Sequence, residues 1–200
     1  MSAFRTRIED YIRREARPID KFGHQPRLYA LTLEIGHDKV YDDDIVFAAA
    51  WLHDIGVFIG HRPEDPPALA AWDCTAYAMA QVPALLSDFD FPAAKRAAVV
   101  EAIRTHQPAA APTTIEGLIL RDADILEQLG AVGIMRTVCK IGRDTRFADF
   151  TSAAAVLQKA LSSLPSQLHL PAARTLAQPR IEILQSFLRQ LTAEAGVNLY

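Results

Sequence analysis

An unbroken apolar run, Ile45-Val46-Phe47-Ala48-Ala49-Ala50-Trp51-Leu52, leads straight into His53-Asp54-Ile55-Gly56. A helix with apolar residues on every side has no face to offer water, so other elements must wrap it. Gly56 is expected to end that helix. An imidazole and a carboxylate carried to the end of such a wall are costly to bury unless something pairs with them. A divalent cation answers that need, because it requires both groups unprotonated and holds them so. The triplet Asp42-Asp43-Asp44 just before the run is a metal suspect by charge repulsion. Carboxylates there are expected instead to cap the helix N-terminus.

The rest of the chain reads at helical period, and no stretch shows the alternation of a strand. Phe4, Ile8, Tyr11 and Ile12 form a stripe on a first helix that stops at Pro18. His24 opens a second, with Pro26 tolerated in its first turn and Leu28, Leu31 and Ile35 as its apolar face. A polar connection from Gly56 to Pro67 leads to a helix over Ala68–Gln81, then one from Asp90 or Pro92 through Ile103 to His106. After the Pro/Ala loop 107–112, Thr113 or Thr114 caps a helix that runs through Ala123 to Leu129. A short helix follows Gly130 and Gly133, then a polar connection over 142–149. Helices over Thr151–Leu164 and Pro171–Ala195, the second bent at Pro179, close the chain.

The pattern predicts an all-α helical bundle. With 200 residues, half of them apolar, one domain over 1–200 is expected, its motif-bearing core at about 20–140 and the helices of 151–195 packed on it. Lys and Arg number 21 against 24 Asp and Glu, a net charge of 21 − 24 = −3, which provides no footprint for a nucleic-acid partner. The charged N-terminus Met1–Arg14 reads as neither a signal peptide nor a membrane span, so a cytoplasmic protein is expected. Cys74 and Cys139 fall in helical apolar patterns without a CxxC, and reduced, buried thiols are expected. The apolar first and last helices would serve a homodimer or close the core.

Four positions line up, the His-Asp pair among them. His24 starts a helix, His53 and Asp54 end another, and Asp124 lies within a third; such positions can converge in a bundle. Two imidazoles and two carboxylates suit one divalent ion, Mn, Fe, Co, Ni or Zn, with Mg also admitted, and leave positions open for water and substrate.

The segments holding these residues resemble the HD-domain metal-dependent phosphohydrolase superfamily, whose pattern is His, then His-Asp, then a distant Asp. They are His24-Gln25-Pro26-Arg27-Leu28-Tyr29, Ala50-Trp51-Leu52-His53-Asp54-Ile55-Gly56, Glu101-Ala102-Ile103-Arg104-Thr105-His106 and Leu120-Arg121-Asp122-Ala123-Asp124-Ile125-Leu126-Glu127-Gln128-Leu129-Gly130. The resemblance spans about residues 20–140, and Leu157-Gln158-Lys159-Ala160-Leu161 and the last helix with Arg180 also look like small stand-alone members. It implies a small HD-type domain with His24, His53, Asp54 and Asp124 as metal ligands, Asp122 being the alternative to Asp124. Pro26 departs from the pattern. Val57 stands where some nucleotidase members carry a Glu, so that acid/base role does not transfer. Members with two metals use extra histidines between His-Asp and the last Asp; only His61 and His106 qualify, and one ion is expected rather than two.

The chemistry such a site implies is hydrolysis by a metal-activated water, with a nucleotide or another small phosphate ester as substrate. Asp54 is the expected catalytic residue, as ligand and neighbour of the water. Arg27, one turn after His24, would reach a phosphate or brace a carboxylate. His61 and His106 are candidates for a base, a leaving-group acid or phosphate contacts; Lys159 and Arg180 would add charge toward an anionic substrate. The rivals are non-phosphate chemistry on the same scaffold, either hydration of a nitrile-like compound or oxygenation at two irons, and a ligand-sensing module without turnover.

Overall fold

The computed structural model describes residues 2–143, 148–196 and 199. Its regular elements are helices: α1 Ala3–Glu15, α2 His24–Gly36, α3 Asp43–Leu52, α4 Pro66–Ala70, α5 Cys74–Asp88, α6 Arg96–Arg104, α7 Ile115–Glu127, α8 Gly130–Val138, α9 Phe150–Ser163 and α10 Pro171–Ala195. Single 3-10 turns lie at Ile19–Lys21, Ile55–Val57, Ala93–Lys95 and Pro165–Gln167. The all-α class is as the periodicity implies. The expected connection over 142–149 lies partly, at 144–147, outside the described residues. None of the described helices is long and apolar enough to cross a membrane.

The chain divides into two compact units, Met1–Ala123 and Asp124–Tyr200, and the division falls inside α7. In the first unit α3 is the central element, buried at every residue from Ile45 to Leu52 and packed by α1, α2 and α6. Ala48, Ala49 and Ala50 present little bulk, which lets neighbouring helices approach closely. Phe4, Ile8 and Ile12 of α1 are buried, so its stripe closes this core. In the second unit α8, α9 and α10 pack pairwise around Ala153, Leu157, Ala173, Ala177 and Leu184. Asp149 caps α9 in a reciprocal exchange with Ser152. Pro179 sits inside α10 without ending it.

The aspartate triplet is a cap, as expected. Asp42 accepts from the Asp44 amide at 3.1 Å, and its own amide donates to Glu116 at 3.0 Å. Arg5 of α1 donates to Asp43 at 2.8 Å and Asp44 at 2.7 Å, Lys95 reaches Asp42 and Asp44, and the Tyr29 hydroxyl donates to Asp43. Burial pushes the Asp44 carboxyl up, but Arg5 and Lys95 outweigh that and hold it below the usual carboxylate range. A depressed carboxylate contributes stability above its unfolded pKa, about 3.9, and loses it as pH falls through the lower folded value. Unfolding midpoints in urea should therefore fall more steeply with acid for the native protein than for Asp44→Asn across about pH 5 to about pH 2.5. Parallel curves would remove the network from the stability account.

The helix expected over Ala68–Gln81 differs from expectation. The Ala68–Gln81 helix is interrupted at 71–73, giving α4 and α5. Asp73 is the physical reason: its side chain accepts from the Ala76 amide at 2.9 Å and starts a new helix. Trp72, in the break, donates its indole N–H to the Gly56 carbonyl at 2.8 Å. Cys139 is likewise exposed rather than buried, because it sits at the C-terminal cap of α8; Cys74 is half-buried.

Candidate metal centre

Helices α3 and α6 end in the same way. In each last turn a histidine ring sits on the carbonyl three residues back, and at α6 that carbonyl, Ile103, also accepts the His106 amide at 3.4 Å. At α3 the ring Nδ1 of His53 lies 3.0 Å from the Ala50 carbonyl oxygen, and at α6 the Nδ1 of His106 lies 2.5 Å from that of Ile103. A carbonyl only accepts, so in both rings Nδ1 carries the proton. That assignment leaves Nε2 with its lone pair in the neutral ring. The two rings meet edge-to-face at 4.9 Å. His37 makes the same contact to Glu34 at the end of α2 but is exposed.

His24 enters from the first turn of α2. Pro26, inside that turn, does not divert it: His24 Nε2 lies 3.3 Å from His53 Nε2, and both rings are buried. Asp54, the next residue after the α3 cap, brings Oδ2 to 3.8 Å from His24 Nε2 and 3.7 Å from His53 Nε2. The ligand atoms of His53, Asp54 and His106 lie within 4.8 Å of one another. The donor set fits a divalent ion. Imidazole nitrogens at roughly 2.0–2.1 Å from a tetrahedral ion stand about 3.3 Å apart. Two helix C-termini add partial negative charge that favours a cation.

The other expected residues fall in several places. Asp124 is in the last turn of α7, buried, where Gln128 donates to its Oδ2 at 3.1 Å and orients it. Asp122 is fully buried beside Arg121 at 3.7 Å; burial pushes the Arg121 guanidinium below its ordinary value and Asp122 opposes that. Arg27 is exposed on α2. His61 belongs to a separate cluster, 3.1 Å from the Tyr77 hydroxyl and 3.4 Å from Glu15 Oε2, where it ties the loop after Gly56 to α1 and α5. Of the two extra histidines, the structure thus brings His106 to His53 and pairs His61 elsewhere. Lys159 is exposed on α9, and Arg180 of α10 packs against Gly130.

Gly56 does not end a helix. The α3 helix stops at Leu52, and Gly56 lies in the following 3-10 turn. A Cβ there would sit 2.6 Å from the Cys74 carbonyl oxygen and 2.8 Å from its Cα, so the requirement is space against backbone. Gly56→Ala should cost about 1–3 kcal/mol in urea unfolding, because α5 must shift. An unchanged midpoint would contradict this close approach. Trp72 and Gln107 are site neighbours that no motif marks. Gln107 donates its amide to His106 Nε2 at 3.0 Å, and its position directly after His106 is the one hint in the sequence.

No family model matches the chain. A stretch of 82 residues is 37% identical to the uncharacterized protein YpgQ of Bacillus subtilis strain 168, spanning 40% of this chain and 40% of YpgQ. The crystal structure of YpgQ superposes with a TM-score of 0.75 over 98% of this chain and 97% of its own, at 24% identity. YpgQ in complex with ADP does so at 0.71, over 97% and 99%, at 25% identity. A predicted HD superfamily hydrolase from an uncultured Thermotogales bacterium matches at 0.63, over 96% and 92%, at 26% identity. The chain has the fold of this HD-superfamily structure.

Proposed function

We propose that the chain is a phosphohydrolase acting on a nucleotide or another small phosphate ester, with one divalent ion held by His24, His53, Asp54 and Asp124. The coarser part, a metal-dependent hydrolase, is supported by the HD-superfamily hydrolase of like fold and by the His/Asp donor set. The observation that carries it is the pair of buried Nε2 atoms facing each other at 3.3 Å, one with its lone pair fixed by the Ala50 contact. Asp124 enters as fourth ligand from its place in the sequence pattern. The nucleotide rests on the ADP that YpgQ binds.

When bound, the ion supplies Lewis acidity toward a phosphoryl oxygen and a water acidic enough to react near neutral pH. Asp54 would orient that water and take its proton. Its carboxylate stands beside both imidazoles, yet its side chain keeps 20% exposure, which gives water and protons a path. Arg27, one turn from His24, is the candidate phosphate contact.

The test is a panel of nucleotides and simple phosphate esters assayed with Mn, Co, Ni, Zn, Fe or Mg. The expected result is phosphate release that a chelator stops and returned metal restores. Tight metal binding without turnover of any ester would sink the phosphohydrolase reading and favour a sensor.

A further inference from the structure

We infer that Gln107 is a positioning residue that keeps His106 out of the metal's ligand set, so that the site stays mononuclear with coordination positions open. The inference rests on the metal reading above. His106 has the burial and the location of a ligand, within 4.8 Å of the His53 and Asp54 donor atoms. Its Nδ1 proton is committed to the Ile103 carbonyl, so Nε2 is the nitrogen that would bind an ion. That lone pair already accepts from the Gln107 amide at 3.0 Å. The same amide nitrogen donates to Thr75 Oγ1 at 3.3 Å, at the start of α5.

Both amide protons are thus spent, one on each partner, and the orientation is fixed: the amide oxygen would meet the His106 lone pair with repulsion. An ion reaching for His106 must first break a bond that α5 braces through Thr75. Partners of this outer kind shift metal affinity by about 10–100-fold when changed. A site with an open position can take water and substrate, whereas a further imidazole would fill it or recruit a second ion.

Cobalt(II) titration of the metal-free full chain, read as ions per chain, affinity against a competing chelator and visible absorption, separates the alternatives. His106→Ala should bind one ion with an affinity within about threefold of the native chain, since a non-ligand is removed. Gln107→Leu should bind cobalt roughly tenfold more tightly or take up a second ion, with a changed absorption spectrum, because His106 joins. The double variant should return to native behaviour. Gln107 is exposed, so its substitution reports even where the buried His106 change fails to fold. A loss of tenfold or more in His106→Ala, or native count and affinity in Gln107→Leu, overturns the inference while leaving the metal reading intact. A native chain that binds no cobalt overturns both.

Discussion

Asp54→Ala is expected to lose metal binding and turnover together, with the rate falling by at least about 10³-fold. Asp54 brings a carboxylate oxygen to 3.8 and 3.7 Å from the two facing imidazoles. On the proposed reading, its removal would take a ligand from the ion and leave the water without its proton acceptor. Several kcal/mol of transition-state stabilisation depend on a bound ion, and each 1.36 kcal/mol is about tenfold in rate. The fold should survive, because Asp54 lies beyond the end of α3 and is part-exposed. Thermal unfolding of the metal-free variant should therefore stay near that of the native chain. Full phosphatase activity in Asp54→Ala would contradict the mechanism.

Phe47→Ala should cost about 3–5 kcal/mol of stability, a large share of what a domain of this size has. Phe47 is 1% exposed in the middle of α3. Its ring meets Tyr29 edge-on at 5.0 Å and Trp51 at 5.8 Å, and the Arg5 guanidinium lies over it at 4.6 Å. Truncation would leave a cavity bounded by α1 and α2, and it would loosen the arginine that holds Asp43 and Asp44. Phe47→Leu, which keeps most of the volume, should cost much less. Urea unfolding measures both, and a loss below about 1 kcal/mol in Phe47→Ala would show that α3 is not the packed centre described above.

The central helix and its His-Asp end were legible because an apolar run of that length admits few environments. The capping role of Asp42–Asp44 was legible for a similar reason, since local chemistry at a helix start decides it. His24 was legible as a helix start, and the structure adds what position cannot show: its Nε2 faces that of His53. What the chain did not reveal depends on contacts between distant segments. The break at 71–73 follows from Trp72 reaching back to Gly56 and from Asp73 taking the cap, and Ala-rich periodicity hides both. Gly56 reads as a helix stop, but its constraint is the backbone of Cys74, eighteen residues on. His61 and His106 look alike as loop and helix-end histidines. Only the fold sends one to Glu15 and Tyr77 and the other to His53.

Metal content per chain, measured after manganese loading and dialysis of the native protein, His24→Ala and His53→Ala, tests the central claim most directly. The predicted result is about one ion per native chain and almost none in either variant. A native chain without manganese above background, or a His53→Ala chain that keeps a full ion, would contradict the metal centre.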